Sequence, residues 1–174
     1  MESNNGYGQE IDLKDLMFAI LRKWRTVLLV AVVLAVVLGG IGSAKGVGIA
    51  GEAAAGVCAE NPNAFGRCLV LQALPGTQGI YGLLVGFLIL TKIGALGGLV
   101  ETSVMQGLAL LAAGAIMGFA GLFSAIAQGK TAAAGISLVG RRPEESGKAI
   151  TMATLVETYA VLALLASVLI WIAV

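Results

Sequence analysis

Apolar residues gather along the chain into four runs, at about 26–57, 68–94, 106–138 and 150–174, with short polar stretches between them. About 20 apolar residues suffice to cross a bilayer as a helix, so each run is long enough to span and too long for an ordinary core helix. The pattern predicts an all-α membrane protein with four transmembrane helices arranged as two tandem helical hairpins. The first and third runs exceed a bilayer width, so their ends are expected to project or the helices to tilt. The organisation follows: a polar and amphipathic extension at 1–25, a first hairpin at 26–94, an inter-hairpin loop at 95–105 and a second hairpin at 106–174.

Composition agrees. Of the 174 residues, 58% are hydrophobic and 12% charged, with a mean hydropathy of +0.94. A water-soluble domain of this size needs more charge to cover its surface. The 25 glycines fall largely within the apolar runs. Gly40, Ala44 and Gly48 recur every four residues, as do Gly42, Gly46 and Ala50. In lipid such stripes let helix backbones approach closely. The net charge of +1 says nothing about nucleic acid, and no basic cluster is interleaved with aromatics in the manner of a nucleic-acid groove. The absence of histidine excludes histidine metal sites and triads. Cys58 and Cys68, on either side of the first turn, do not have zinc-site spacing and read as small apolar residues.

The chain repeats itself without a gap at an offset of 81 residues. Ser43 pairs with Ser124, Gly48 with Gly129, Pro62 with Pro143, Gly66 with Gly147, Arg67 with Lys148 and Thr77 with Thr158. Matches among Leu, Ala and Gly are cheap in such a sequence. Matched loop prolines, loop glycines and basic residues are not. In this register Glu157 falls opposite Gly76. One hairpin carries a membrane carboxylate and the other a glycine.

An ionised carboxylate in a membrane helix costs about 2.5–3.5 kcal/mol on insertion scales and marks function by default. Few polar groups are available to satisfy it. Leu74, Thr77, Gln78 and Tyr81 share one helical face. Pro75 beside them lacks an amide hydrogen and distorts the helix, loosening backbone carbonyls. The third run supplies Ser124 and Gln128, one turn apart, and the fourth supplies Glu157, Thr158 and Tyr159. Together they make an oxygen-rich cage suited to a hard monovalent cation, or to a proton.

These residues give the chain a family resemblance. GIGSAKGVGIAGEAAAGV, LQALPGTQGIYG, GLFSAIAQGKTAAAGI, RRPEESGKAI and VETYAVLALL resemble the proteolipid c-type subunit, subunit K, of vacuolar-type rotary ATPases, closest to the bacterial sodium-translocating kind. The resemblance covers nearly everything from about residue 39 onward. It implies a sodium site made by the Leu74 carbonyl, Thr77, Gln78, Gln128 and Glu157, with Tyr81 hydrogen-bonding the carboxylate. It also implies a homo-oligomeric ring of identical copies, each carrying one Na⁺, or alternatively H⁺. The ring would turn against a stator subunit bearing an essential arginine, and a central-stalk subunit would contact the hairpin loops. The chain itself would be no enzyme, and it contains no GxxxxGK[ST] phosphate-binding loop. Each charge moved across 100 mV is worth about 2.3 kcal/mol, so several ions are needed per ATP.

Residues 1–25 do not follow this family. Leu13, Leu16, Met17, Ile20, Leu21 and Trp24 fall at helical spacing opposite Asp12, Asp15, Arg22 and Lys23, as in a helix lying at a membrane surface or one that simply extends the first transmembrane helix. The family topology puts both hairpin loops in the cytoplasm of a bacterial plasma membrane, and Arg67, Arg141, Arg142 and Lys148 agree. Lys14, Arg22, Lys23 and Arg25 argue the reverse. Two rival classes stand beside the rotor ring. One is a small multidrug/proton antiporter, which would set tryptophan and tyrosine around a substrate cavity, whereas Trp24 and Trp171 sit at membrane edges. The other is a purely structural scaffold, in which Glu157→Gln would be silent.

Overall fold

The computed structural model describes residues 24–95, 97–98 and 102–174, and all but the last two residues of the polar and amphipathic extension at 1–25 lie outside them. Among the described residues there are four long apolar helices: α1 (Thr26–Glu60), α2 (Pro62–Lys92), α3 (Val104–Arg141) and α4 (Pro143–Ala173). At the hairpin-turn end each extends past the apolar run that announced it. The turns do not interrupt the helices for long. Asn61 alone leaves helical geometry between α1 and α2, at φ −135° and ψ 86°. Pro62 then opens α2, where the missing amide hydrogen costs nothing. The second hairpin repeats this at the offset of 81: Arg142 has φ −138° and ψ 81°, and Pro143 opens α4. Polar residues therefore continue the helices beyond the hydrocarbon. At 1.5 Å per residue, the 35 residues of α1 reach roughly 52 Å, against a hydrocarbon core of about 30 Å.

At the opposite end, Ser103 caps α3 in a reciprocal box: its hydroxyl accepts from the Gln106 amide while Gln106 Oε1 accepts from the Ser103 amide. Gln106 Nε2 also donates to the Val174 carbonyl at 2.9 Å, tying α3 to the end of α4. Trp171 donates its indole N–H to Leu88 O at 2.8 Å, and the Lys92 ammonium lies 5.3 Å from the ring centroid. Trp171 thus anchors at a helix end, as expected of an interfacial aromatic.

Glycines decide the helix packing. α3 touches all three other helices and is the most enclosed, with 44% of its most apolar window buried against 17% for α4. Where α1 crosses α3, a Cβ on Gly129 would lie 2.5 Å from Gly46 Cα, and one on Gly42 would lie 2.6 Å from Leu122 Cα. The two backbones touch directly. Gly82 of α2 and Gly118 of α3 meet carbonyls of a π-helical turn at Leu34–Leu38 in α1. Of the two small-residue stripes on α1, Gly42, Gly46 and Ala50 are buried in this packing. Gly40, Ala44 and Gly48 are not: the two glycines have nothing within 4 Å of an added Cβ, and Ala44 is exposed.

Two apolar clusters fill the interior. One is built on Leu28, Val85, Ile89, Leu110 and Met117, the other on Ala50, Leu71, Ile136, Val139 and Ala153. Between them lies a layer of buried polar side chains: Ser43, Gln78, Ser124 and Gln128. Cys68 is buried beside Cys58 in the second cluster, both as free thiols.

Candidate ion site

The polar layer is organised by the break in α2. Pro75 supplies no amide hydrogen, and Leu74–Gly76 tighten into a 3₁₀ turn before the α-helix resumes at Thr77. The Thr77 hydroxyl has two acceptors, Leu74 O at 3.1 Å and Gln78 Oε1 at 3.4 Å. Its one proton can serve one acceptor at a time, and the oxygen keeps two lone pairs. Tyr81, one turn on, reaches across to α4 and donates its hydroxyl to Glu157 Oε1 at 2.6 Å.

From α3, Gln128 links both sides. Its carbonyl oxygen accepts from Gln78 Nε2 at 2.6 Å. Its two amide protons go to Ala153 O at 3.1 Å and to Glu157 Oε2 at 3.4 Å. With Gln128 held this way, Gln78 presents its own carbonyl oxygen toward Thr77. Ser124 lies 3.4 Å from Gln78 Nε2 and donates to Val156 O at 3.1 Å. Both glutamines are fully buried, whereas Glu157 and Tyr81 are only partly covered. Among the described residues no buried side-chain nitrogen or oxygen lacks a partner.

Leu74, Thr77, Gln78, Tyr81, Gln128 and Glu157, which sequence reasoning grouped on α2, α3 and α4, therefore stand in one connected network. Thr158 and Tyr159 stand apart from it. Thr158 spends its hydroxyl on Leu155 O at 2.8 Å in its own helix, and Tyr159 is 70% exposed on the outer surface. Successive helical residues point about 100° apart, so one of the three adjacent polar positions on α4 can face α2 and α3. Sequence reasoning missed Ser43 on α1, which accepts from the Gly79 amide at 2.7 Å and donates to Gly76 O at 3.2 Å. Its pairing with Ser124 across the repeat was the signal available.

Chemically the network offers one carboxylate, a hydroxyl, amide oxygens and a backbone carbonyl at a helix break. Both carboxylate oxygens have a side-chain partner, Tyr81 on one and Gln128 on the other. The repeat-related place in the first hairpin is apolar: Val47 stands where Gln128 would, Gly76 where Glu157 would, and a Cβ on Gly76 would meet Val47 Cγ2 at 3.7 Å.

A duplicated membrane hairpin with a single acid lodged between its helices is the architecture of a rotary-ATPase proteolipid, and the chain belongs to the ATP synthase C-subunit family. The model of that family matches twice, over residues 30–89 and 111–170, the second match displaced by 81 residues at both ends. Among similar proteins, V-type sodium ATPase subunit K of Enterococcus hirae is 50% identical over 139 residues, covering 80% of this chain and 86% of that one. A-type ATP synthase subunit K of Methanocaldococcus jannaschii is 45% identical over 136 residues, covering 78% of this chain and 57% of that longer protein.

Proposed function

We propose that this integral, multi-pass protein is the rotor-ring subunit of the membrane sector of a vacuolar-type ATPase, and that each copy carries one Na⁺ on Glu157. The observation that carries the reading is the network in which Glu157 meets Tyr81 and Gln128, and Gln128 leads through Gln78 to Thr77 and Leu74 O, in a chain 50% identical over 139 residues to a subunit named for a sodium ATPase. Leu74 O, Thr77 Oγ1, Gln78 Oε1, the Gln128 amide oxygen and the carboxylate are the proposed ligands. Gln128 would release Gln78 Nε2 to offer its oxygen. A hard cation takes oxygen ligands, and one carboxylate balances one monovalent charge.

Transport follows from that balance. Loaded, Glu157 belongs to a neutral site that can face lipid as a ring of identical copies turns. Empty, it is a bare carboxylate that cannot. A stator subunit presenting an arginine would stabilise the empty site while the ion leaves into one half-channel and another enters from the second. The hairpin loops, carrying Arg67, Arg141, Arg142 and Lys148, would face the cytoplasm of a bacterial plasma membrane and meet the central stalk. A proton is the second reading. Against it stands the number of oxygen-bearing side chains gathered here, Thr77, Gln78 and Gln128, which is more than a single proton requires. An antiporter reading is disfavoured by Trp171, which is held at a helix end on Leu88 and away from Glu157.

The test uses the assembled complex and a carbodiimide that attacks protonated membrane carboxyls. Labelling confined to Glu157 and slowed by sodium is the expected result. Labelling indifferent to sodium assigns the site to protons, and protection by organic cations assigns the chain to antiport.

A further inference from the structure

We infer that Ser43 is a positioning residue for the ion site, an inference that rests on the sodium reading above. Three proposed ligands, Leu74 O, Thr77 Oγ1 and Gln78 Oε1, belong to five residues spanning the Pro75 break. A helix with a proline in it lacks a ladder bond, and its two halves can tilt against each other unless something outside the helix fixes them. Ser43 does this from α1. Its hydroxyl donates to Gly76 O, within the 3₁₀ turn, at 3.2 Å and accepts from the Gly79 amide, in the resumed helix, at 2.7 Å. One side chain bridges both sides of the break.

The surrounding surface is shaped for the contact. Gly39, Ser43 and Gly46 lie on one face of α1 at i, i+4 and i+7. A Cβ on Gly39 would lie 2.9 Å from Gln78 O, and one on Gly46 would lie 2.7 Å from Pro75 Cβ. The α1 backbone is therefore seated directly on the distorted segment, with the serine at the centre of the seat. Gly79 completes it, since a Cβ there would come within 3.2 Å of Ser43 Cβ and Oγ.

The repeat supplies an internal comparison. Ser124, the counterpart of Ser43, donates to Val156 O, the counterpart of Pro75, and receives the Gln78 amide. α4 has no proline at that place and runs as unbroken α-helix from Ser146 to Ala173. The two-sided brace thus occurs in the hairpin that lacks the carboxylate but supplies the backbone ligand. Its role is to hold the α2 oxygens at the spacing that Glu157 and Gln128 meet from the other side. Ser43 touches no ion.

The experiment titrates sodium against carbodiimide labelling of Glu157 in the assembled complex, for the unmodified chain, Ser43→Ala and Ser43→Thr. Ser43→Ala is expected to raise the half-protecting sodium concentration by roughly tenfold, the equivalent of one lost hydrogen bond of about 1.4 kcal/mol. Ser43→Thr, which keeps the hydroxyl, is expected to recover most of the loss. Ser43→Ala within twofold of the unmodified chain, or Ser43→Thr as weak as Ser43→Ala, overturns the inference. Should Ser43→Ala fail to assemble, hydrogen exchange at the Gly79 amide of the unmodified complex decides. Slower exchange on sodium loading supports a brace coupled to the site, and unchanged exchange refutes it. An unmodified complex that sodium does not protect at all is a different failure, because it removes the sodium reading and this inference with it.

Discussion

The contact between Gly46 and Gly129 couples helix packing to the ion site, and Gly129→Ala tests that coupling. A Cβ at Gly129 would lie 2.5 Å from Gly46 Cα and 2.8 Å from its carbonyl carbon. Carbon atoms rest about 3.5–4.0 Å apart, so α1 and α3 must separate by about 1 Å. Neither neighbour is the end of a flexible side chain, so the backbones themselves must move. Overpacking of this kind costs about 1–3 kcal/mol. The displaced residue adjoins Gln128, whose carbonyl sits 2.6 Å from Gln78 Nε2. Moved outward by about 1 Å, that bond passes the distance at which an N–H···O contact counts as a hydrogen bond. The variant is therefore expected to lose both thermal stability of the assembled ring and sodium protection of Glu157. Gly129→Ala should melt several degrees lower than the unmodified ring, on the order expected for 1–3 kcal/mol. Its half-protecting sodium concentration should rise roughly tenfold or more, as for a hydrogen bond of about 1.4 kcal/mol. Unchanged melting refutes the packing argument. Lower melting with unchanged sodium protection refutes the coupling between packing and site.

Other expectations follow from single contacts. Thr77→Val removes a hydroxyl that lies against Leu74 O and Gln78 Oε1, and should weaken sodium protection roughly tenfold. Its repeat counterpart Thr158→Val removes a hydroxyl bonded within α4 and should change protection less than about twofold, so equal effects would discredit the assignment of Thr77. Tyr81→Phe deletes the donor 2.6 Å from Glu157 Oε1, a bond to a charged group worth about 1.5–3 kcal/mol. Sodium-free labelling of Glu157 should then accelerate by roughly tenfold or more, and an unchanged rate would show that the hydroxyl does not restrain the carboxylate. The buried Ser167 hydroxyl lies 2.9 Å from Ala113 O of α3 and 2.8 Å from Ala163 O of its own helix, away from the ion site. Ser167→Ala should lower ring melting by the equivalent of about 1 kcal/mol while leaving sodium protection unchanged, and a shift in protection would contradict the separation of the two regions.

Much of this was legible in the amino-acid order, because hydropathy and repetition are local properties. Four apolar runs meant four spanning helices, since lipid leaves a backbone no other way to satisfy its polar groups. The offset of 81 isolated Glu157 as a solitary acid, and helical spacing put Leu74, Thr77, Gln78 and Tyr81 on one face before any contact was known. Helix ends were less legible: Glu60, Arg141 and the residues following Pro62 and Pro143 are helical although too polar for an apolar run, because their backbones lie where water and caps replace lipid.

Tertiary structure alone decided which of two equal-looking stripes on α1 is buried, and which of Glu157, Thr158 and Tyr159 turns inward. Those outcomes depend on the rotation of each helix about its axis, set by where a neighbour's backbone can approach, as Gly129 does at Gly46. They also brought Ser43 to the Pro75 break, 32 residues away along the chain, a contact the repeat marked only by matching Ser43 with Ser124. Composition and spacing determined that a lone acid would lie in the membrane among oxygen-bearing residues. Close packing of glycine-faced helices determined which of those oxygens reach it, because direction is a property of the assembled bundle and not of any one segment.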